Sequence, residues 1–386
     1  MNSTPVNSEP VGERAPSYWS QPEPREPGSP AGAAPAPHLL DLPPSEARRA
    51  VADWLIAANQ PSYRAAQIVD HVFGRRCGAP QRMTNLPGDL RTRLANTLLR
   101  DVLSIAEIQV SRDGTRKYRL QLGDGAIVEA VWIPADDRGT LCMSSQAGCP
   151  AGCTFCATAA SGFRRNLRPS EMVSQWLLVG DDLRREARGE VTQVVFMGMG
   201  EPLFNYDSLS VTLRLLTEPA GFAFSPRRIT VSTVGVPRRM EQLCAEFPQV
   251  RLALSLHSAR DETREQIVPM NRRFGVGALR ECLRSLGDRL RRVTLEYVLL
   301  VGVNDSPDEA RALARFASEC AGHVNLLPFH PYPGARYSPT PPERLRTFKR
   351  QVEDEYSGSV TIRVSRGLDI AGACGQLALR TTPPQS

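Results

Sequence analysis

Lysine is almost absent from this chain. Of its 47 basic residues only Lys117 and Lys349 are lysine. The skew reads first as a coding bias and second as an arginine-rich surface for phosphate, and charge alone does not separate the two. Long apolar runs are missing as well. No stretch approaches the ~18 consecutive apolar residues of a membrane span. The opening residues MNSTPVNSEP lack the basic-then-apolar pattern of a secretion signal. The expectation is a soluble, cytoplasmic protein without a membrane partner. No GxGxxG turn opens a helix after a first strand, which weighs against a dinucleotide-binding sheet. Nor is there an even set of cysteines. The nine, at 77, 142, 149, 153, 156, 244, 282, 320 and 374, are unevenly spaced. That argues against a disulfide framework and for thiol or metal chemistry.

What is present suffices for a sizeable core. The 386 residues, 41% hydrophobic and 23% charged, fit one large domain with a smaller one, or two to three modest ones. Collagen-like, coiled-coil and wholly disordered chains are excluded on composition. Residues 1–40 hold nine prolines and few apolar residues, so they read as a disordered tail. Four acids and two arginines give that tail −2, leaving +8 on the remainder of a chain whose total is +6.

Residues 41–103 have helical periodicity and predict a small helical domain. Ser45 can cap a helix with Val51, Leu55 and Ile56 on its apolar face. Tyr63, Ile68, Val69 and Val72 recur at helical spacing, and Asn85-Leu86-Pro87 opens a third helix through Leu90, Leu94 and Leu98. Residues 104–137 predict a β-hairpin extension, with Lys117–Leu122 and Ala126–Ile133 flanking the turn Gly123-Asp124-Gly125. Ile127 and Glu129 share one face of the second strand, so Glu129 is either a sheet-edge residue or a site residue.

From 138 to 380 short apolar strands alternate with amphipathic stretches. The strands are 139–144, 192–197, 228–233, 251–256, 293–301 and 324–328, with a further strand at 361–364. Helical stretches include 169–183, 206–216, 276–286 and 308–320. Alternation implies an α/β fold with parallel strands and crossover helices. About six such units fit a partial (β/α)6 version of the eight-unit barrel. An open doubly wound sheet is the alternative. In a barrel the chemistry gathers at the C-terminal strand ends, where the unusual residues of this chain lie. Residues 381–386 form a short tail.

The sharpest signal is Cys149-Pro-Ala-Gly-Cys153-Thr-Phe-Cys156. A structural zinc site takes four ligands, usually as two CxxC pairs. Ferredoxin clusters take four cysteines at other spacings. Three thiolates on a 4Fe–4S cluster leave one iron open for a substrate or cofactor. This CxxxCxxC at the end of the first barrel strand resembles the radical S-adenosylmethionine (SAM) superfamily. Further blocks narrow the resemblance: Cys142-Met-Ser-Ser-Gln-Ala-Gly-Cys149, Gly162-Phe-Arg-Arg-Asn-Leu167, Val195-Phe-Met-Gly-Met-Gly-Glu-Pro-Leu203, Thr230-Val-Ser-Thr233, Leu254-Ser-Leu-His-Ser258 and Asp369-Ile-Ala-Gly-Ala-Cys-Gly-Gln-Leu377. Together they resemble the RlmN/Cfr family, radical-SAM enzymes that methylate an adenine of 23S ribosomal RNA. The likeness runs from about 40 to 380, and the pairing of Cys142 with the Cys374 block is its most specific part.

The resemblance implies a role for each motif residue. Cys149, Cys153 and Cys156 hold the cluster, and SAM chelates the fourth iron. Gly200, Glu201, Ser232, Ser255, Leu256 and His257 contact SAM. His330 stands where the family pattern has asparagine, and it takes over that cofactor contact. Adenine C2 is not nucleophilic, so a radical route answers the need, with the cofactor carrying the hard chemistry. One SAM methylates Cys374, the thiolate being the nucleophile. A second SAM yields the 5′-deoxyadenosyl radical, which takes a hydrogen from the S-methyl group. The resulting methylene radical adds to C2. Cys142 resolves the adduct through a transient Cys142–Cys374 disulfide, and Glu129 accepts the C2 proton. Cys77, Cys244, Cys282 and Cys320 have no motif and are assigned to packing.

The partners implied are 23S ribosomal RNA, an adenine of transfer RNA, and an electron donor such as flavodoxin or ferredoxin, with the enzyme a monomer. The base must be reached in a splayed loop or flipped out. The helical domain is either a packing or lid element or a direct RNA contact. Arginine pairs at 164–165, 184–185, 227–228, 238–239, 272–273 and 291–292 could bind phosphate, and Arg164–Arg165, beside the cluster loop, is the pair favoured. C8 methylation is the alternative within the class. An RNA-binding iron–sulfur or zinc module needs neither Cys142 nor Cys374. A small-molecule radical-SAM enzyme needs no basic balance or helical domain.

Overall fold

A computed structural model describes residues 37–136, 138–287, 293–320 and 322–377. The proline-rich tail up to residue 36, the Arg291–Arg292 pair and the tail 381–386 lie outside the described residues.

Apolar spacing fixes the first helices. α1 (Pro44–Ala57) begins with proline, whose missing amide costs nothing at a first helical position, and buries Ala47, Val51 and Leu55. Its N-cap is Pro43 rather than Ser45. α2 (Arg64–Val69) buries Ile68 and Val69, and α3 (Gly88–Ala95) buries Leu90 and Leu94. Two residues expected on apolar faces are in solvent: Ile56 is 75% exposed and Tyr63 59%. Ile56 sits about 100° around the helix from Leu55, off the buried stripe. Tyr63 is the cap of α2, ahead of its apolar turn.

The extension is a three-stranded meander rather than a hairpin. β1 (Leu103–Val110), β2 (Arg116–Leu122) and β3 (Ile127–Ala135) pair antiparallel in turn, and β3 pairs antiparallel with β4 (Arg138–Cys142). β5 (Gln146–Gly148) and β6 (Phe163–Asn166) form a separate small ribbon around the short helix α4 (Ala157–Ala160). Beyond it come the crossovers. α5 (Pro169–Arg185) leads to β7 (Gln193–Phe196), α6 (Tyr206–Thr217) to β8 (Ile229–Thr233), and α7 (Pro237–Glu246) to β9 (Arg251–Ser255). α8 (Asp261–Ile267) and α9 (Val276–Leu286) lead to β10 (Val293–Leu299), and α10 (Pro307–Cys320) to β11 (His323–Pro328). β4, β7, β8, β9, β10 and β11 pair in parallel throughout, which is the expected partial barrel. α11 (Pro342–Glu355) then delivers β12 (Ser359–Ile362) parallel to β11. The meander is one edge of this sheet and β12 the other.

From Pro37 onward the chain forms one compact unit. The N-terminal helices share their core with the barrel: Leu55, Ile68 and Leu94 belong to the same buried cluster as Val194, Leu295 and Phe316. Cys244 and Cys282 lie in it too. A smaller core of Ala151, Phe155, Ile267, Val268, Met270 and Phe329 lies under the cysteine loop. No helix among the described residues is long and apolar enough to cross a membrane.

Candidate active site

Cys142 is the last residue of β4, and the chain passes through β5 into the loop 149–156. Cys149, Cys153 and Cys156 line one cavity of about 450 Å³ together with Cys142 and Cys374. Its wall is made of strand ends, with Ser232 of β8, Ser255 of β9, Val298 of β10 and Leu327 of β11. All nine cysteines are free, so Cys142 and Cys374 are not bridged.

Burial pushes the Cys149 thiol up to about 12 and raises Cys153 and Cys156 as well. Buried thiols of this kind ionise once a cation binds, because the thiolate is the ligand. Among the described residues no three His, Cys, Asp or Glu side chains are grouped to hold a single metal ion. The three thiols face one space. Three thiols are one short of the four ligands of a structural zinc site and match a cluster that leaves one iron open. Arg264 adds a fully buried cation whose field reaches Cys153. Its guanidinium donates to Leu256 O at 2.9 Å, Val234 O at 2.5 Å and Asn271 Oδ1 at 3.0 Å, tying strand ends to α8.

The residues expected around SAM lie along the next strands. Gly200 has φ +102°, and a Cβ there would stand 2.6 Å from Gln146 Cβ, so only glycine lets the two strand ends approach this closely. Glu201 is buried. Its Oε2 accepts from Val234 N at 2.8 Å and Oε1 from Leu203 N at 3.1 Å. Burial still raises its carboxyl to about 7. Ser232 and Ser255 face each other across β8 and β9, hydroxyls 3.3 Å apart. His257 is held at φ +58°. Its Nδ1 accepts from Val298 N at 3.1 Å, which leaves Nε2 as the donor of the neutral ring. Burial keeps that ring neutral, lowering its pKa to about 3. Phe155 packs on it edge-on at 4.8 Å. His330 lines the same cavity, with Nε2 2.6 Å from Ser365 Oγ.

Two expected site residues are not brought to the cavity wall. Leu256 is buried, and its N–H donates to Glu296 O at 3.0 Å, closing the strand end. Glu129 is buried on β3 with Oε1 3.7 Å from Lys117 Nζ, and neither residue lines the cavity. Glu296 and Arg363 line the cavity without having carried a sequence motif. Glu296 on β10 accepts from Asn325 Nδ2 at 2.9 Å, and an acid inside the apolar run Val293–Leu299 was its only signal. Arg363, after β12, faces Cys374, Glu296 and Cys142, whose charges raise its pKa. The favoured pair Arg164–Arg165 is corrected. Arg165 is committed to the fold, with Nη1 and Nη2 on buried Glu171 at 2.8 and 2.9 Å and Nε on Asp124 at 2.7 Å. Only Arg164 of the two is exposed.

Three thiols at the end of the first strand of a partial α/β barrel, with a carboxyl, two hydroxyls and an imidazole on the strands that follow, define a radical-SAM enzyme. The sequence pattern described as the Radical SAM superfamily matches residues 143–316. The chain is 42% identical over 342 residues to the probable dual-specificity RNA methyltransferase RlmN of Gemmatimonas aurantiaca, covering 88% of this chain and 93% of the relative. It is 43% identical over 332 residues to the dual-specificity RNA methyltransferase RlmN of Halorhodospira halophila, covering 86% and 91%. The crystal structure of a radical SAM methyltransferase from Sphaerobacter thermophilus matches with a TM-score of 0.82 at 40% identity, covering 88% of this chain and 98% of that one. The chain belongs to the RlmN family of radical-SAM RNA methyltransferases. Membership implies a 4Fe–4S cluster, SAM and an RNA substrate.

Proposed function

We propose that the enzyme methylates C2 of one adenine in 23S ribosomal RNA, and an adenine of transfer RNA, with Cys374 as methyl carrier and Cys142 as resolving thiol. The observation that carries this is the meeting of five cysteines at one cavity, three more than a methyl carrier and its resolving partner require. Cys149, Cys153 and Cys156 would hold the cluster, with SAM completing its coordination. When bound and reduced by a donor of the flavodoxin or ferredoxin class, that cluster supplies the electron that cleaves SAM.

The protein's own groups do the rest. Glu201 accepts from the SAM amino group beside the bare backbone of Gly200. Ser232, Ser255 and the Nε2–H of His257 offer hydrogen bonds to the ligand, while Leu256 holds the strand end behind them. His330 takes the place of an asparagine donor, positioned by Ser365. A Cys374 thiolate attacks the methyl of one SAM, forming Sγ–CH₃ as the sulfonium–CH₃ bond breaks; the second SAM is the one cleaved. After transfer to RNA, Cys142 attacks the Cys374 sulfur. The disulfide forms as the Sγ–CH₂ bond breaks: the bonding pair stays on the methylene, which takes the Cys142 thiol proton to become the methyl group, the adduct's unpaired electron returns to the oxidised flavodoxin- or ferredoxin-class partner, and an external reductant reopens the disulfide. Glu129 accepts the C2 proton. Since it lies outside the cavity lining, this role requires the RNA-bound enzyme to open a path to it.

The test is anaerobic reconstitution with labelled SAM and fragments of ribosomal and transfer RNA, followed by nucleoside mass spectrometry. 2-Methyladenosine is expected. 8-Methyladenosine selects the C8 reaction instead, and SAM cleavage without an RNA product overturns both.

A further inference from the structure

The Cys374 loop is slung between two anchors. At its far end Gly375 O accepts from Ala157 N at 2.8 Å, and Leu377 O from the Thr158 hydroxyl at 2.7 Å. Both partners open α4, directly after Cys156. At its near end the loop rests on the turn between β1 and β2. Asp113 Oδ2 accepts from Gly367 N at 2.9 Å, while its Oδ1 accepts from Thr115 N at 2.9 Å. Ser111 Oγ donates to Asp369 Oδ1 at 2.5 Å, and Arg112 N to Asp369 Oδ2 at 3.2 Å.

Apolar burial holds only the far part of this stretch, where Ala373 and Leu377 are buried; near the turn Val364 is 77% exposed and Leu368 49%. Gly367 has φ +65°, and a Cβ there would come 2.9 Å from Thr115 Cγ2. Ala371 is held at φ +49°, a conformation that costs alanine and persists only where the surroundings impose it. Gly372 N donating to Gly367 O at 2.8 Å closes the loop's own bend, and three hydrogen bonds join that bend to the turn.

We propose that the Ser111–Thr115 turn is the seat that sets the position of the methyl-carrying loop, with Asp113 and Asp369 as positioning residues for Cys374. This rests on the reading of Cys374 as methyl carrier. It gives the β extension a part in the site that its place at the sheet edge does not suggest.

The test uses the full-length, cluster-loaded enzyme under anaerobic conditions with SAM. Hydrogen exchange of residues 366–377 and S-methyl loading of Cys374, by mass spectrometry, are measured for wild type and Asp113→Ala, Asp113→Asn and Gly367→Ala. In Asp113→Ala, exchange rises about tenfold and the loading rate falls about tenfold, the scale of one charge-assisted hydrogen bond. SAM affinity is unchanged. Asp113→Asn, whose Oδ1 can still accept from Gly367 N at the cost of the bond from Thr115 N, recovers part of the loading, an outcome a merely structural loss would not produce. Gly367→Ala lifts the loop independently and stands in if Asp113→Ala does not fold. Unchanged exchange in a folded variant overturns the proposal, and so does raised exchange with undiminished loading. If wild-type Cys374 accepts no methyl, the methyl-carrier reading fails, and exchange alone then decides whether the turn seats the loop.

Discussion

The two loops that meet at the cavity are held by different forces. The cluster loop is packed: Ala151, Cys153 and Phe155 sit in an apolar core with Ile267, Val268, Met270 and Phe329. Thr154 N adds a bond to Ile267 O at 3.0 Å, and the Thr154 and Tyr337 hydroxyls stand 2.7 Å apart. The Cys374 loop is hung mainly on hydrogen bonds, with Cys374 itself exposed and only Ala373 and Leu377 buried among its apolar residues. Apolar burial is spread over many atoms, whereas each solvent-edge hydrogen bond contributes little net stability. The cavity thus has one fixed wall and one adjustable wall. On the proposed reading of Cys374 as methyl carrier, that division suits a cofactor that must stay in place and a carrier that must meet first SAM and then a base.

The largest effect separates the two loops by chemistry. Cys374→Ala is expected to keep the visible iron–sulfur absorption and SAM binding while lowering RNA methylation at least about 10⁴-fold, as loss of a covalent carrier does. Cys153→Ala is expected to lose the absorption, SAM binding and activity together. Loss of the absorption in Cys374→Ala would place Cys374 among the ligands and erase the contrast. A second difference appears on titration. Burial, with Cys374 close by, pushes the Cys142 thiol up to about 12. The thiolate is the reactive form, so Cys142 at pH 8 is alkylated about a thousandfold more slowly than an exposed thiol of ordinary pKa. Its rate rises about tenfold per pH unit from 8 to 11, because raising the pH deprotonates it. Peptide mapping after iodoacetamide treatment checks this, and equal labelling of Cys142 and Cys374 at pH 8 refutes it.

Stability gives the third contrast. Ile267 is fully buried beneath the cluster loop, and Leu368 is half-exposed on the other. Ile267→Ala should cost about 2–5 kcal/mol, the range for emptying a core site. Leu368→Ala should change stability by less than about 0.5 kcal/mol. Denaturant unfolding of the two variants measures the difference, and similar losses would mean that both loops are packed.

What was legible in the sequence follows the same division. The cysteine loop was visible because its three thiols lie within eight residues, Cys149 to Cys156, and the barrel because each strand and helix carries its own period. The parallel strands begin and end within three residues of their expected bounds. The seat of the Cys374 loop was not visible. Asp113 and Gly367 are 254 positions apart, and a turn containing Asp and Gly reads only as a turn. Arg165 misled for a related reason: a basic pair beside a motif shows its charge but not the buried Glu171 that claims it. Glu129 and Leu256 were assigned through motif resemblance, which marks a residue without telling which side of a strand end it serves.

The smallest effect concerns RNA and tests whether the adjustable wall is an independent unit. Arg164 is exposed on β6, which follows the fixed loop, and Arg366 is exposed on the stretch that leads to Cys374. Replacing either by alanine is expected to weaken RNA binding a few-fold and lower the salt slope by about one, the effect of losing one phosphate contact. Their coupling to the seat should differ. In an Asp113→Ala background the loss from Arg164→Ala stays the same, because β6 does not depend on the turn. The loss from Arg366→Ala shrinks, because the loop that carries it is already displaced. Binding measured around both double-mutant cycles reads this directly. A coupling near zero for Arg164 and above about 0.5 kcal/mol for Arg366 is the expected pattern. Equal couplings would mean that the two walls move together, and the contrast between a packed loop and a hung one would then describe bonding but not behaviour.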